Sequence, residues 1–212
     1  MKRRTFVLTA ATAALPASLL TALPVQAQDD KGYKELKPSV PVDVPAGQIE
    51  VIEFFSYGCS HCKDFEPIFE AWTKTVPKDV VVRHVHVGWD KQLEPLQRLY
   101  YALETLGKVD ALQAKVYAAL QTERKSLDQP DVLFPWIAQQ GVDRAKFEQA
   151  YKSFGVANQV QRAISAQNAY QIEGTPGMGI GGRFSTDSGM ARGFDGMLKL
   201  TDTLIDRIRK GK

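Results

Sequence analysis

The hydrophobic positions change period along the chain, and each change marks a new element. Residues 48–56 are apolar, β-branched or aromatic at nearly every position, which predicts a central strand buried on both faces. From Cys59 the period becomes helical, with Cys62, Phe65, Phe69 and Trp72 recurring on one face. Pro67 falls inside that segment, where it removes one main-chain hydrogen bond and kinks the axis. Glu66, one turn after Cys62, reads as a solvated helix residue. Residues 80–87 form another strand, so the chain opens with a strand–helix–strand unit. The polar stretch before it, with prolines at 38, 41 and 45, predicts an extended lead-in with a short edge strand near Tyr33 to Leu36.

A long helical region follows, from about Leu93 to Tyr170. Leu96, Leu99, Tyr100, Leu103 and Leu106 make one amphipathic face that ends at Gly107, and Leu112, Val116, Ala119 and Leu120 make a second. Leu133, Trp136 and Ile137, then Phe147, Tyr151 and Phe154, continue the pattern, and Val156 to Tyr170 forms a last helix. Strand character returns at 178–184, with Gly181-Gly182 as a hairpin signal and residues 189–194 as the expected returning strand. Leu198 to Ile208 closes the chain as an amphipathic helix with basic residues in its last turn. The whole predicts a mixed α/β domain, residues 28–90 and 166–212, interrupted by an inserted helical domain at 91–165.

The first residues read differently. Lys2-Arg3-Arg4, an apolar run from Phe6 to about Leu23 and the small residues of Val25-Gln26-Ala27 form an export signal, residues 1–27, with cleavage before Gln28. Arg3-Arg4 also fits a twin-arginine signal. Those three cations account for the entire formal charge of +3, so the exported chain is balanced and offers no basic footprint for nucleic acid.

The chain of 212 residues has only two cysteines, Cys59 and Cys62, separated by Ser60-His61. A disulfide between them closes a very small loop, removes little chain entropy and makes a poor staple. Its position, between a strand and a helix, points to redox chemistry. Free N–H groups and the positive end of the helix dipole stabilise a thiolate on Cys59, the attacking and leaving group of disulfide exchange. Cys62, one turn on, faces inward as the resolving thiol. The His61 imidazole is placed to hydrogen-bond the Cys59 sulfur and favour its anion. Glu53 is a lone carboxylate in an apolar strand, where burial would let it carry protons at neutral pH. The pair calls for no cofactor and no metal.

The segment Phe54-Phe-Ser-Tyr-Gly-Cys-Ser-His-Cys62 resembles the active site of the DsbA family, thiol:disulfide oxidoreductases of the periplasm with a thioredoxin-like fold and an inserted helical domain. The similarity extends over essentially the exported chain, including Pro67 and Gly174-Thr-Pro-Gly-Met178. It implies a monomer in the periplasm that donates a disulfide to unfolded or reduced exported proteins and is reoxidised by a DsbB-type, quinone-linked membrane oxidase. It further implies a cis peptide at Thr175-Pro176 beside the cysteines, with Thr175 offering main-chain groups to substrate, and a proton-exchange role for Glu53 beneath Cys62. Two departures stand out: Ser60 replaces the usual proline of the dipeptide, and Gly177-Met-Gly-Ile-Gly-Gly182 is unusually rich in glycine. Within redox chemistry the alternative is a disulfide isomerase or reductase, although too few residues precede the first strand for an added dimerisation domain. Outside it, Cys59, Cys62, His61, His84 and His86 are the ligand types of a metal-binding protein.

Overall fold

The computed structural model describes residues 31–211, and the export signal read at residues 1–27 lies outside the described residues. Five strands, β1 (Lys34–Glu35), β2 (Ile49–Phe55), β3 (Val80–His86), β4 (Gly177–Ile180) and β5 (Phe184–Asp187), form one sheet in the order β1-β5-β4-β2-β3. β2 and β3 run parallel and are joined by the crossover helix α1 (Ser60–Thr73), as parallel neighbours require. The other pairings are antiparallel.

β2 lies inside the sheet and all seven of its residues are buried. Its alternate side chains enter two cores. Ile49 and Val51 pack with Phe65, Phe69 and Trp72 of α1 and with Met197, Leu204 and Ile205 of α7 (Phe194–Arg209). Ile52 and Phe54 join a second cluster with Leu99, Leu103 and Tyr170 from the helices that follow β3. Fully burying one such side chain stabilises the fold by about 1.5–3 kcal/mol.

Those helices begin with a 3-10 turn, Lys91–Leu93, and continue as α2 (Glu94–Thr105), α3 (Val109–Tyr117), a π-helical turn at Ala118–Thr122, α4 (Pro130–Gln139), α5 (Arg144–Lys152) and α6 (Phe154–Ala169). Asp143 and Ser153 cap α5 and α6, accepting from Lys146 N and Val156 N at 3.1 Å each. The π turn has no counterpart in the sequence reading, because its few residues do not disturb a 3.6-residue period.

Residues 189–194 are not the returning strand. Gly181 and Gly182 have φ of 56° and 67° and turn the chain so tightly that β5 starts at Phe184. The segment after β5 is a turn, with Ala191 N donating to Asp187 O at 3.0 Å and Gly193 N to Ser188 O at 2.7 Å, and α7 begins at Phe194 rather than Leu198. The glycines of β4 do not loosen it. A Cβ on Gly179 would fall 2.6 Å from ring carbons of Tyr170 and 3.0 Å from Phe54. The missing side chain lets the Tyr170 ring lie on the sheet, where its hydroxyl accepts from Gly182 N at 3.1 Å. Gly179→Ala is therefore expected to destabilise the protein by about 1–3 kcal/mol through overpacking, measured as a lowered urea midpoint.

Candidate active site

The strand β2 ends at Phe55, and four residues later Cys59 occupies the N-cap of α1, with extended φ and ψ of −89° and 118°. The intervening turn is closed by Cys59 N donating to Ser56 O at 3.0 Å. No side chain caps α1, so the N–H groups of its first turn are free to serve a sulfur. Cys59 is half-buried and Cys62 fully buried, both as free thiols.

The two sulfurs differ sharply in acidity. Cys59 is lowered to about 5, foremost by a hydrogen bond from the Cys62 thiol. Burial opposes this, while the Thr175 side chain and the main chain at Cys62 and His61 add to it. The same hydrogen bond, reinforced by burial, pushes the Cys62 thiol up. Thr175 touches Cys59 in two senses: its carbonyl accepts from Sγ at 3.3 Å, which favours the thiol, and its side chain favours the thiolate. The net direction for Cys59 is downward. The Thr175-Pro176 peptide is cis.

His61 acts differently from the sequence reading. Its ring is exposed, and among the described residues no hydrogen bond joins the imidazole to Cys59; the contribution of His61 to the sulfur is its main-chain N–H. Glu53 is fully buried on the face of β2 toward α1, beside His84 of β3 in register. Its Oε2 lies 2.7 Å from His84 Nδ1, and its Oε1 is buried without a hydrogen-bond partner. For His84, burial disfavours the charged ring, but the bond and charge of Glu53, with Glu66, outweigh it and raise the pKa.

Glu66 is not solvated: it is only 6% exposed. Burial first, then the charge of Glu53, pushes it up to about 7, and Gln113 Nε2 donates to it at 3.4 Å. Ligating atoms of Glu53, Glu66 and His84 lie within 4.8 Å of one another. Glu66, His84 and Gln113 also line a cavity of about 350 Å³ that opens beside α1. The set Cys59, Cys62, His61, His84 and His86 is not brought together as ligands. Burial pushes His86 down to about 4, and both of its nitrogens are taken by main chain: Nδ1 donates to Val87 O at 2.9 Å and Nε2 accepts from Tyr57 N at 3.1 Å.

Gln113 and Gln121 escaped the sequence reading. Tyr57 Oη donates to Gln113 Oε1 at 2.7 Å, and Gln121 Nε2 donates to the carbonyls of Tyr57 and Cys59 at 2.8 and 2.9 Å. Nothing in their sequence context distinguishes them from ordinary helix glutamines.

Comparison with known proteins points the same way as this geometry. Residues 50–204 match the model of the DSBA-like thioredoxin domain. The thiol:disulfide interchange protein DsbA of Bordetella parapertussis is 44% identical over 99% of this chain and 100% of its own length. That of Pseudomonas aeruginosa is 35% identical over 93% of this chain and 95% of its own. The crystal structure of Pseudomonas aeruginosa DsbA superposes with a TM-score of 0.82, covering 85% of this chain and 94% of that one at 35% identity. The oxidoreductase NmDsbA1 of Neisseria meningitidis gives 0.75 over 85% and 93% at 28% identity.

Two pH effects are expected. The Cys59 contribution to the stability of the reduced protein is present in full above the ordinary thiol value near 9.0 and lost as pH falls to about 5. Alkylation of Cys59 should follow a titration with its midpoint near 5, and a midpoint near 9 would contradict the geometry. Glu66 has the opposite sign: its raised carboxyl stabilises below the ordinary value of 4.5, and that contribution fades as pH rises through about 7. Glu66→Gln should then raise the denaturation midpoint at pH 8.5 more than at pH 5.

Proposed function

The chain belongs to the DSBA-like thioredoxin-domain family, and from that premise we propose how its residues divide the work. It is a thiol:disulfide oxidoreductase, acting through the Cys59–Cys62 pair in a mixed α/β thioredoxin-like fold with inserted helices. In our reading Cys59 is the sulfur that exchanges with substrate. A substrate thiolate attacks Cys59 Sγ of the oxidised pair; the S–S bond breaks and Cys62 leaves with the electron pair and takes up a proton. A second substrate thiolate then attacks the substrate sulfur of the mixed disulfide, and Cys59 leaves as a thiolate. Substrate is oxidised by two electrons and the pair is reduced by two.

The observation that carries this reading is the unequal pair: a half-buried Cys59 lowered to about 5 beside a fully buried Cys62 held protonated. A low pKa makes Cys59 a good leaving group, and stabilising the reduced form makes the disulfide an oxidant. Thr175 and Pro176, next to Cys59, are the surface we assign to the substrate main chain, and Glu53 is the group we assign to proton exchange with Cys62. His61 supports the thiolate through its main-chain N–H.

Family membership implies unfolded protein thiols as substrates. We place the protein in the periplasm, as a monomer, with the inserted helices at 91–165 bordering the substrate groove and a quinone-linked, DsbB-type membrane oxidase restoring the disulfide. The net reaction needs that external oxidant, since each cycle leaves the pair reduced.

Cys59→Ser should abolish oxidation of a dithiol peptide, whereas Cys62→Ser, treated with oxidised glutathione, should accumulate the mixed disulfide at Cys59 that Cys62 would otherwise displace. The opposite pattern would exchange the two roles. Equilibration of the pair with glutathione buffers tests the direction of catalysis: an oxidant stays reduced at ratios where glutathione is largely oxidised, while a pair as reducing as a structural disulfide would favour a reductase.

A further inference from the structure

The turn that carries Cys59 is held by side chains from two other elements. Within residues 56–59, Cys59 N donates to Ser56 O and Gly58 N donates to Ser56 Oγ at 3.2 Å. Tyr57 N donates outside the turn, to His86 Nε2 of β3. Two of the turn's other carbonyls, those of Tyr57 and Cys59, are taken by one group: the amide nitrogen of Gln121. A primary amide has two N–H donors, so a single side chain can hold two carbonyls that sit one residue apart on either side of Gly58. Cys59 O also accepts from Lys63 N at 3.2 Å, at the start of α1. The amide of Gln121 therefore fastens the turn at the point where it becomes helix.

Gln121 sits where the helical segment departs from α-helical winding. It belongs to the π turn Ala118–Thr122, in which Glu123 N donates to Ala118 O, five residues back, at 2.9 Å. Gln113, whose carbonyl oxygen holds the Tyr57 hydroxyl, and Gln121 are separated by eight residues. On an unbroken α-helix that spacing carries a side chain about 80° around the axis. A wider turn rotates less per residue, which brings Gln121 back toward the side that Gln113 and Tyr117 present to Tyr57. Tyr117 packs on Tyr57 with ring centroids 5.2 Å apart. The next residue, Thr122, accepts from Lys63 Nζ of α1 at 3.0 Å. π turns of this kind recur at functional sites, and here the turn serves to aim one amide.

We propose that Gln121 is a positioning residue for the redox pair: by clamping the Tyr57 and Cys59 carbonyls it holds the first-turn N–H groups of α1 against the Cys59 sulfur, so the oxidising strength of the pair depends on a residue of the inserted helices. This rests on Cys59 being the exchanging sulfur. The clamp acts mainly on the reduced form. Donors aimed at a thiolate are strongly favourable, whereas the same donors gain little from a neutral disulfide sulfur. Losing the clamp should therefore weaken the reduced state more than the oxidised one.

The test is Gln121→Leu, which removes the donors at similar volume, with Gln121→Glu as a nearly isosteric second variant that sets a carboxylate against the two carbonyls. In each, the Cys59 alkylation midpoint and the equilibrium with glutathione are measured, together with urea unfolding of both redox forms. We expect the midpoint to rise and the equilibrium to move toward the protein disulfide by roughly 2- to 10-fold for Gln121→Leu, the worth of one net hydrogen bond, and further for Gln121→Glu at pH 7. The reduced form should lose more stability than the oxidised form. Equal destabilisation of both forms, with midpoint and equilibrium unchanged, would show Gln121 to be structural only and overturn the proposal. Wild-type protein in which Cys59 titrates as an ordinary thiol would overturn the exchanging-sulfur premise itself, a result the variants are not needed to recognise.

Discussion

The hydrogen bond from the Cys62 thiol to the Cys59 sulfur is the contact on which the chemistry of this fold depends. It is the largest influence on both groups, lowering one and raising the other. Two sulfurs that share a proton in this way are inequivalent before any substrate arrives. Exposure reinforces the division, since the sulfur that keeps the proton is fully buried and the one without it is half-open to solvent. The contact exists only because β2 delivers the chain to the start of α1 through one tight turn. A C-x-x-C pair in a helix places its sulfurs one turn apart, and with the first cysteine at the cap, as Cys59 is, that sulfur also meets the free N–H groups of the first turn. The packing of β2 between two cores is thus a condition of the redox chemistry, not merely a background to it.

Beneath the pair the fold tolerates groups that work against stability. Glu50 and Glu53 occupy a strand with every residue buried, and Glu66 is buried on the helix above. Charges removed from water cost several kcal/mol each unless they are paired. Glu50 is paired with Arg83, with both nitrogen–oxygen contacts at 2.8 Å. Glu53 has His84 on one oxygen and nothing on the other, and Glu66 has only a glutamine amide. The two carboxylates closest to the cysteines are thus less completely satisfied than the one farther along the strand. Incomplete pairing costs stability, yet a group with every lone pair engaged is poorly placed to exchange a proton. The same cluster lies against an open cavity lined by Glu66 and His84, so one side of it is not closed by the hydrophobic cores.

Much of this was legible in the chain because the governing patterns are local. An unbroken apolar run, a change of period at Cys59 and a proline inside the helix sufficed to place β2, α1 and the cysteines between them. Glu66 was misread although the signal was present. It stands four residues after Cys62 and three before Phe69, on the same face as the buried stripe, and its charge alone suggested solvent. The strand expected at 189–194 failed for another reason: the paired glycines were recognised as a turn, but the return was placed too far along, when so tight a turn requires the next strand at once. Gln121 was beyond reach. Its role depends on a π turn and on carbonyls roughly sixty residues earlier in the chain, and no period or composition encodes either.

The dipeptide between the cysteines can now be weighed on physical grounds. Ser60 and His61 are both exposed, and the strongest bond to Cys59 comes from Cys62, outside the dipeptide. What His61 supplies to the sulfur is an N–H that any residue except proline would also present. Its exposed ring makes no hydrogen bond to the sulfur. Ser60, in place of a residue that fixes φ, leaves the first helical position free to adjust. Rigidity that a proline would have provided from within the dipeptide must then come from outside it. The bond that Tyr57 N donates to His86 Nε2, and those that Gln121 Nε2 donates to the Tyr57 and Cys59 carbonyls, grip the turn immediately before the dipeptide. In this chain the geometry of the redox pair is held by its surroundings more than by the two residues it encloses.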